Sequence, residues 1–172
     1  MLRFTTFNER VREVHGYRPL TACPPRDYDG SIRASGSTAL CDAAYTAVQS
    51  LCTYGAQLEG HDFDVNGIVF VITDGAENSS QTTAAQIKTA IADVRRRAQL
   101  SSVIAVLIGV GVQDPTLSTM LTDFKQAAGF NRYVELERAD ATTLASLADF
   151  VSRSISLQSQ SLASGRPARL GF

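Results

Sequence analysis

Residues 69–78 read VFVITDGAEN, an apolar run that stops at Thr73-Asp74-Gly75. Val69, Phe70, Val71 and Ile72 in succession suit a strand covered on both faces, as in the middle of a parallel sheet. An Asp at the carboxyl end of such a strand has two readings. Asp-Gly is ordinary turn chemistry. It is also placed where open α/β sheets bind their ligands, beyond the carboxyl ends of the strands.

The flanking sequence decides the fold class. Downstream, residues 82–99 have a helical period with Ile87, Ile91 and Val94 on one face, and SVIAVLIGVGV (102–112) is a second strand too apolar to have a wet side. Asp114-Pro115 opens a helix through Leu117, Leu121, Phe124 and Ala128 that Gly129 closes. RYVEL (132–136) is a brief strand, and a last helix starts after the cap Asp140. Upstream, LRFTTFNERVREVHGY (2–17) makes two strands about a turn at Asn8-Glu9, and residues 18–37 are loop, crowded with Pro, Gly, Ser and Asp. STALCDAAYTAVQSLCTYG (37–55) is a helix with Leu40, Ala44, Val48, Leu51 and Cys52 on one stripe and Gly55 at its end.

Strands alternating with helices imply an α/β fold: a doubly wound, mostly parallel sheet, with the hairpin's second strand as its antiparallel edge. The expectation is one domain over 1–157 and a flexible tail over 158–172, rich in Ser, Gly and Arg.

Charge and composition exclude several classes. In 172 residues, 16 Lys and Arg balance 17 Asp and Glu, so no global field draws nucleic acid or an acidic membrane surface. Arg95-Arg96-Arg97 ends a helix, where cations complement the dipole. No signal-peptide core and no membrane-spanning run occurs, which places the expected location in the cytoplasm with no membrane insertion. Cys23, Cys41 and Cys52 lack metal-ligand spacing; Cys41 and Cys52, on one helix, stand too far apart to bond, so all three are expected reduced.

Two loops should meet at the sheet's carboxyl edge: SGSTALCDA (35–43) and TDGAENSS (73–80). They carry the hydroxyls of Ser35, Ser37 and Thr38 and the carboxylate of Asp74, hard oxygen donors suited to Mg²⁺, Mn²⁺ or Ca²⁺ rather than zinc. The paired T-x-L-x-D-A (38–43) and ITDG (72–75) signals resemble the von Willebrand factor type A domains, as do FTTFNERV (4–11), VFVITDGAENSS (69–80), VIAVLIGVG (103–111) and the closing helix. The resemblance covers about residues 2–157. It implies a Rossmann-like fold with a metal-ion-dependent adhesion site, in which Thr38 is the loop threonine and Asp74 the aspartate after the fourth strand. The ion then takes a carboxylate from a partner protein, and no reaction is implied.

The pattern is incomplete at its amino end. The family's first strand, its D-x-S-x-S and its first helix have no counterpart; DGSIR (29–33) has Arg33 where the last Ser belongs. The expectation is therefore an N-terminally incomplete domain that binds metal weakly. The missing strand is lost, lies upstream, or comes from a separate polypeptide.

Each site residue also has an ordinary role. Thr38 suits a helix N-cap; Asp42 suits a hydrogen-bond acceptor behind the ligands or a solvated helix residue; Glu77 and Asn78 suit the loop surface, at most the rim of a site; Ser35 and Ser37 suit loop hydroxyls. Gly109-Val110-Gly111 lacks the spacing of a phosphate loop and reads as a tight turn. The alternatives are a Mg²⁺-dependent Rossmann-like hydrolase or phosphatase using Asp74, or a structural remnant that binds nothing. A phosphatase needs a second carboxylate, and no D-x-D ends a strand here.

Overall fold

In the computed structural model, residues 1–32, 36–63, 65–97, 102–138 and 140–164 are described. The chain opens with β1 (Leu2–Phe7) and β2 (Val11–Arg18), an antiparallel hairpin turning at Asn8–Arg10. Helix α1 (Leu40–Glu59) follows the loop, then β3 (Asn66–Thr73), α2 (Ala84–Arg97), β4 (Ser102–Val110), α3 (Pro115–Ala128), β5 (Arg132–Leu136) and α4 (Ala141–Ser164). The order of strands and helices is the one the periodicities predict.

β3, β4 and β5 form a parallel sheet in that order, with Val69 opposite Ala105, Phe70 opposite Val106 and Ile108 opposite Val134. Side chains alternate between its faces. Val69, Val71, Val103, Ala105 and Leu107 pack with Leu40, Ala44 and Val48 of α1, Ile87, Ile91 and Val94 of α2, and Leu121 of α3. On the other face, Val106, Ile108, Val134 and Leu136 pack with Leu147 and Phe150 of α4. Helices on both faces explain why these strands read as unbroken apolar runs. Gly67 lets β3 approach α1, since a Cβ there would stand 2.5 Å from Leu51 Cδ2.

Four expectations need correction. The hairpin is not an edge of the parallel sheet: β1 and β2 form a sheet of their own, and β1 is not hydrogen-bonded to β3. Both β1 and β3 instead lie against α1. Gly55 does not end α1; it is buried inside the helix, which runs four residues further to Glu59. Ile72 is not buried: β3 lies at the end of the sheet, and Ile72, on the α4 side, is 46% exposed. Finally, α4 continues past residue 157 to Ser164, while residues 165–172 of the expected tail lie outside the described residues. All three cysteines are free, and among the described residues no helix is long and apolar enough to cross a membrane.

Candidate functional site

The first turn of a helix leaves N–H groups without intrahelical acceptors. At α1 the N-cap position is held by Ala39, which has no side-chain oxygen to offer, so Thr38 is not the cap its residue type suggests. The acceptors come from the loop after β3. Cys41 N–H donates to Glu77 Oε2 (2.6 Å) and Asp42 N–H to Ser80 Oγ (3.0 Å). Thr38 N–H donates to Asn78 Oδ1 (2.7 Å), and Asn78 N–H returns a bond to the Thr38 carbonyl (3.1 Å). Asp42 reciprocates, its carboxylate accepting from the N–H groups of Gln81 (3.2 Å) and Thr82 (2.8 Å). The two loops are thus sewn together from both sides.

Glu77 is the knot. Besides Cys41 it accepts from Ser79 N–H (2.8 Å), Ser80 N–H (2.7 Å) and Ser80 Oγ (2.7 Å). Desolvation alone would raise its pKa, but the donors from Cys41, Ser80 and Ser79 outweigh it and hold the carboxyl below its usual range. Asp42 follows the same pattern: desolvation opposes, the Thr82 and Gln81 donors prevail, and its pKa is lowered. Nearby, the Cys41 thiol is pushed up to about 12 by burial first and the Glu77 charge second, which leaves it protonated and inert at neutral pH.

Asp74 differs from these carboxylates. Thr73 Oγ1 accepts from Gly75 N–H (3.2 Å) and donates to the Gly75 carbonyl (2.8 Å), closing a turn around the Asp. Asp74 itself is exposed and has no hydrogen-bond or ion-pair partner among the described residues. The Thr38 hydroxyl lies against the next residue, where a Cβ on Gly75 would stand 3.2 Å from Thr38 Oγ1. The Thr38 hydroxyl is therefore brought to the turn that carries Asp74, at the carboxyl end of β3.

The remaining predicted residues separate. Asp42 is a hydrogen-bond acceptor, as its residue type suits. Asn78 is exposed on the loop surface, as its residue type suits, and its side chain also holds the Thr38 N–H; Glu77 is not mere loop surface or rim, being half-buried and accepting from Cys41 N–H at the start of α1, which has no local cap. Ser37 is exposed, and Ser35 lies outside the described residues. Ser80 went unrecognised in the sequence, although an α1 opening on Ala39 needs an acceptor from elsewhere.

The donor set fits a divalent cation only in part. Among the described residues no three His, Cys, Asp or Glu side chains gather as metal ligands would. Thr38 and Asp74 offer one hydroxyl and one carboxylate, and the neighbouring carboxylates are already occupied by backbone donors. An ion here would fill its other positions from water or from an outside molecule. Two open clefts lie elsewhere, one of about 440 Å³ between the hairpin and α1 and one of about 600 Å³ between the α3 start and the end of β5; neither is lined by Thr38 or Asp74. No protein-family model matches the chain, and no curated protein matches it in sequence.

Proposed function

We propose that the chain is a protein-binding module that recognises a carboxylate on a partner protein through a divalent cation, Mg²⁺ or Mn²⁺ or Ca²⁺, held weakly at Thr38 and Asp74. One observation carries the reading: the Thr38 hydroxyl stands beside Gly75, next to an exposed Asp74 that no described residue engages, at the carboxyl end of β3. The resemblance to von Willebrand factor type A domains points the same way, since it assigns these two residues to the ion. A Rossmann-like frame suits the α/β architecture, with its parallel sheet and helices on both faces.

Two oxygen ligands make a weak cation site, because Mg²⁺ gives up its water reluctantly. A carboxylate from outside adds a ligand and a charge, so ion and partner bind together better than either alone. The rigid seam of Glu77, Ser80 and Asn78 fixes the Thr38 loop, while Asp74 faces solvent.

The test is retention of the purified chain on a surface bearing glutamate- and aspartate-containing peptides, in 10 mM MgCl₂ (a concentration of roughly this order, given a weak site) and in EDTA. Retention in Mg²⁺, lost in EDTA and in both Asp74→Ala and Thr38→Val, is the expected result. Retention that survives EDTA and both substitutions would overturn the reading.

A further inference from the structure

The cleft of about 440 Å³ between the hairpin and α1 has the size of a small-molecule site and shares no residue with the edge that carries Thr38 and Asp74. Arg3, Glu13, Gly16 and Tyr17 build its hairpin wall. The other wall is one stripe of α1, on which Thr46, Ser50, Tyr54 and Gln57 recur every three or four positions. Tyr17 and Tyr54 join the walls: their rings stack at 4.1 Å, within 8° of parallel.

The cleft carries no net charge. Among the described residues its only charged groups are Arg3 and Glu13, and they cancel, since Arg3 Nε donates to Glu13 Oε2 at 2.7 Å. Burial pushes the Tyr17 phenol up to about 12, so it stays a neutral hydroxyl. The ion pair is nevertheless only half used. Glu13 Oε1 lies over Gly16, where even a Cβ would stand 3.7 Å from it, and it accepts from no described residue. The terminal nitrogens of Arg3 donate to no described residue either, although that side chain is only 12% exposed. Across the cleft, the side-chain amides of Gln49 and Gln57 are exposed and equally unengaged.

We propose that this cleft binds a neutral saccharide, gripped by the free Glu13 oxygen and the Arg3 nitrogens on the hairpin wall and by the Gln49 and Gln57 amides on the α1 wall. The site is independent of the metal reading. Its chemistry selects the ligand class. A carboxylate oxygen only accepts and a guanidinium only donates, so the ligand must offer a donor and an acceptor side by side. Two neighbouring sugar hydroxyls do both. Each amide likewise brings a donor and an acceptor, which suits further hydroxyls.

Other ligands fit less well. A phosphate ester or another anion finds an arginine already neutralised by a carboxylate. A proline-rich segment also packs on tyrosine, but each Pro lacks the N–H that Glu13 Oε1 asks for. The aromatic rings offer a sugar's C–H face an apolar surface, and their stack holds the two walls in place before any ligand arrives. Hydroxyls that exchange water for protein partners gain little each, so the affinity is modest and the arrangement of hydroxyls decides selectivity. Because the ligand is uncharged, salt has little effect on binding.

The experiment applies the labelled full chain, in EDTA, to a printed array of neutral, sulfated and sialylated oligosaccharides, then titrates the best-retained neutral sugar by calorimetry. Retention of neutral glycans that share one arrangement of neighbouring hydroxyls, insensitive to salt, is the expected result. Glu13→Ala should weaken binding about tenfold and Gln57→Ala about threefold. Both side chains are exposed, so the free variants should keep their melting temperatures, and Asp74→Ala should leave sugar binding untouched. Three results overturn the proposal: no neutral glycan retained, stronger retention of sulfated or sialylated glycans, or an affinity unchanged in both Glu13→Ala and Gln57→Ala.

Discussion

Two helices of this molecule begin at the carboxyl edge of the same sheet and are started in opposite ways. α3 is capped from within: Asp114, one residue before Pro115, accepts from Thr116 N–H at 2.8 Å, and Gly129 at φ 73° closes the far end. α1 has Ala39 at its cap and borrows its acceptors from residues 77, 78 and 80, nearly forty positions away. A local cap stabilises one helix end. A borrowed cap ties two loops into one body, and here that body carries Thr38 beside the turn of Asp74. The difference teaches that one seam serves both the start of α1 and the placing of the Thr38 loop.

The largest test of that difference is Glu77→Ala. It leaves Cys41 N–H and the donors of Ser79 and Ser80 without their acceptor in a half-buried place, and it should destabilise the chain by about 2–4 kcal/mol in urea denaturation. Glu77→Gln keeps one acceptor oxygen and should cost about half as much. A loss below that of an ordinary cap would mean that water replaces the carboxylate without penalty.

Acid should unpick the same seam. Glu77 and Asp42 have folded-state pKa values lowered from 4.5 and 3.8, so their contribution is present above those values and is lost as pH falls below about 4 through the folded values. Urea midpoints measured from pH 7 to pH 3 should therefore fall for the native chain. The fall should be shallower in Glu77→Ala, which has one such carboxylate fewer. Equal slopes in the two proteins would remove Glu77 from the account.

On the other side of the comparison, Asp114→Ala should cost about 1 kcal/mol and leave cation response at the α1 edge untouched. This smaller effect is also the one a reader of the sequence foresees. Asp114-Pro115 and Gly129 act on their own helix, as do Asp140 at α4 and the apolar runs of β3 and β4, so residue types in order suffice to place them. For Asp42 the sequence leaves an acceptor and a solvated helix residue both open, and its bonds to Gln81 and Thr82 decide for the acceptor. Glu77 and Ser80 were not, because their partners are set by how α1 and the β3 loop come together in space. The separation of the hairpin from the parallel sheet was hidden for the same reason. Alternation and turn residues mark a strand, but they do not say which strand lies beside it.

The smallest expected effect is at Asp74, and its smallness is the point. The side chain is exposed and engages no described partner, so Asp74→Ala in EDTA should change stability by less than about 0.5 kcal/mol, against several for Glu77→Ala. Thr38→Val should behave alike, since the hydroxyl makes no hydrogen bond among the described residues and the backbone bonds to Asn78 remain. In Mg²⁺ the ranking should change. A cation at tenfold its dissociation constant stabilises the native chain by about 1.4 kcal/mol, and both substitutions should abolish that increment in a thermal melt. Glu77→Ala should lower the baseline stability while keeping part of the increment, because it disturbs the frame and leaves both oxygen donors in place. If Asp74→Ala instead destabilised the chain in EDTA as strongly as Glu77→Ala does, Asp74 would belong to the seam, and nothing at this edge would be left to face a partner.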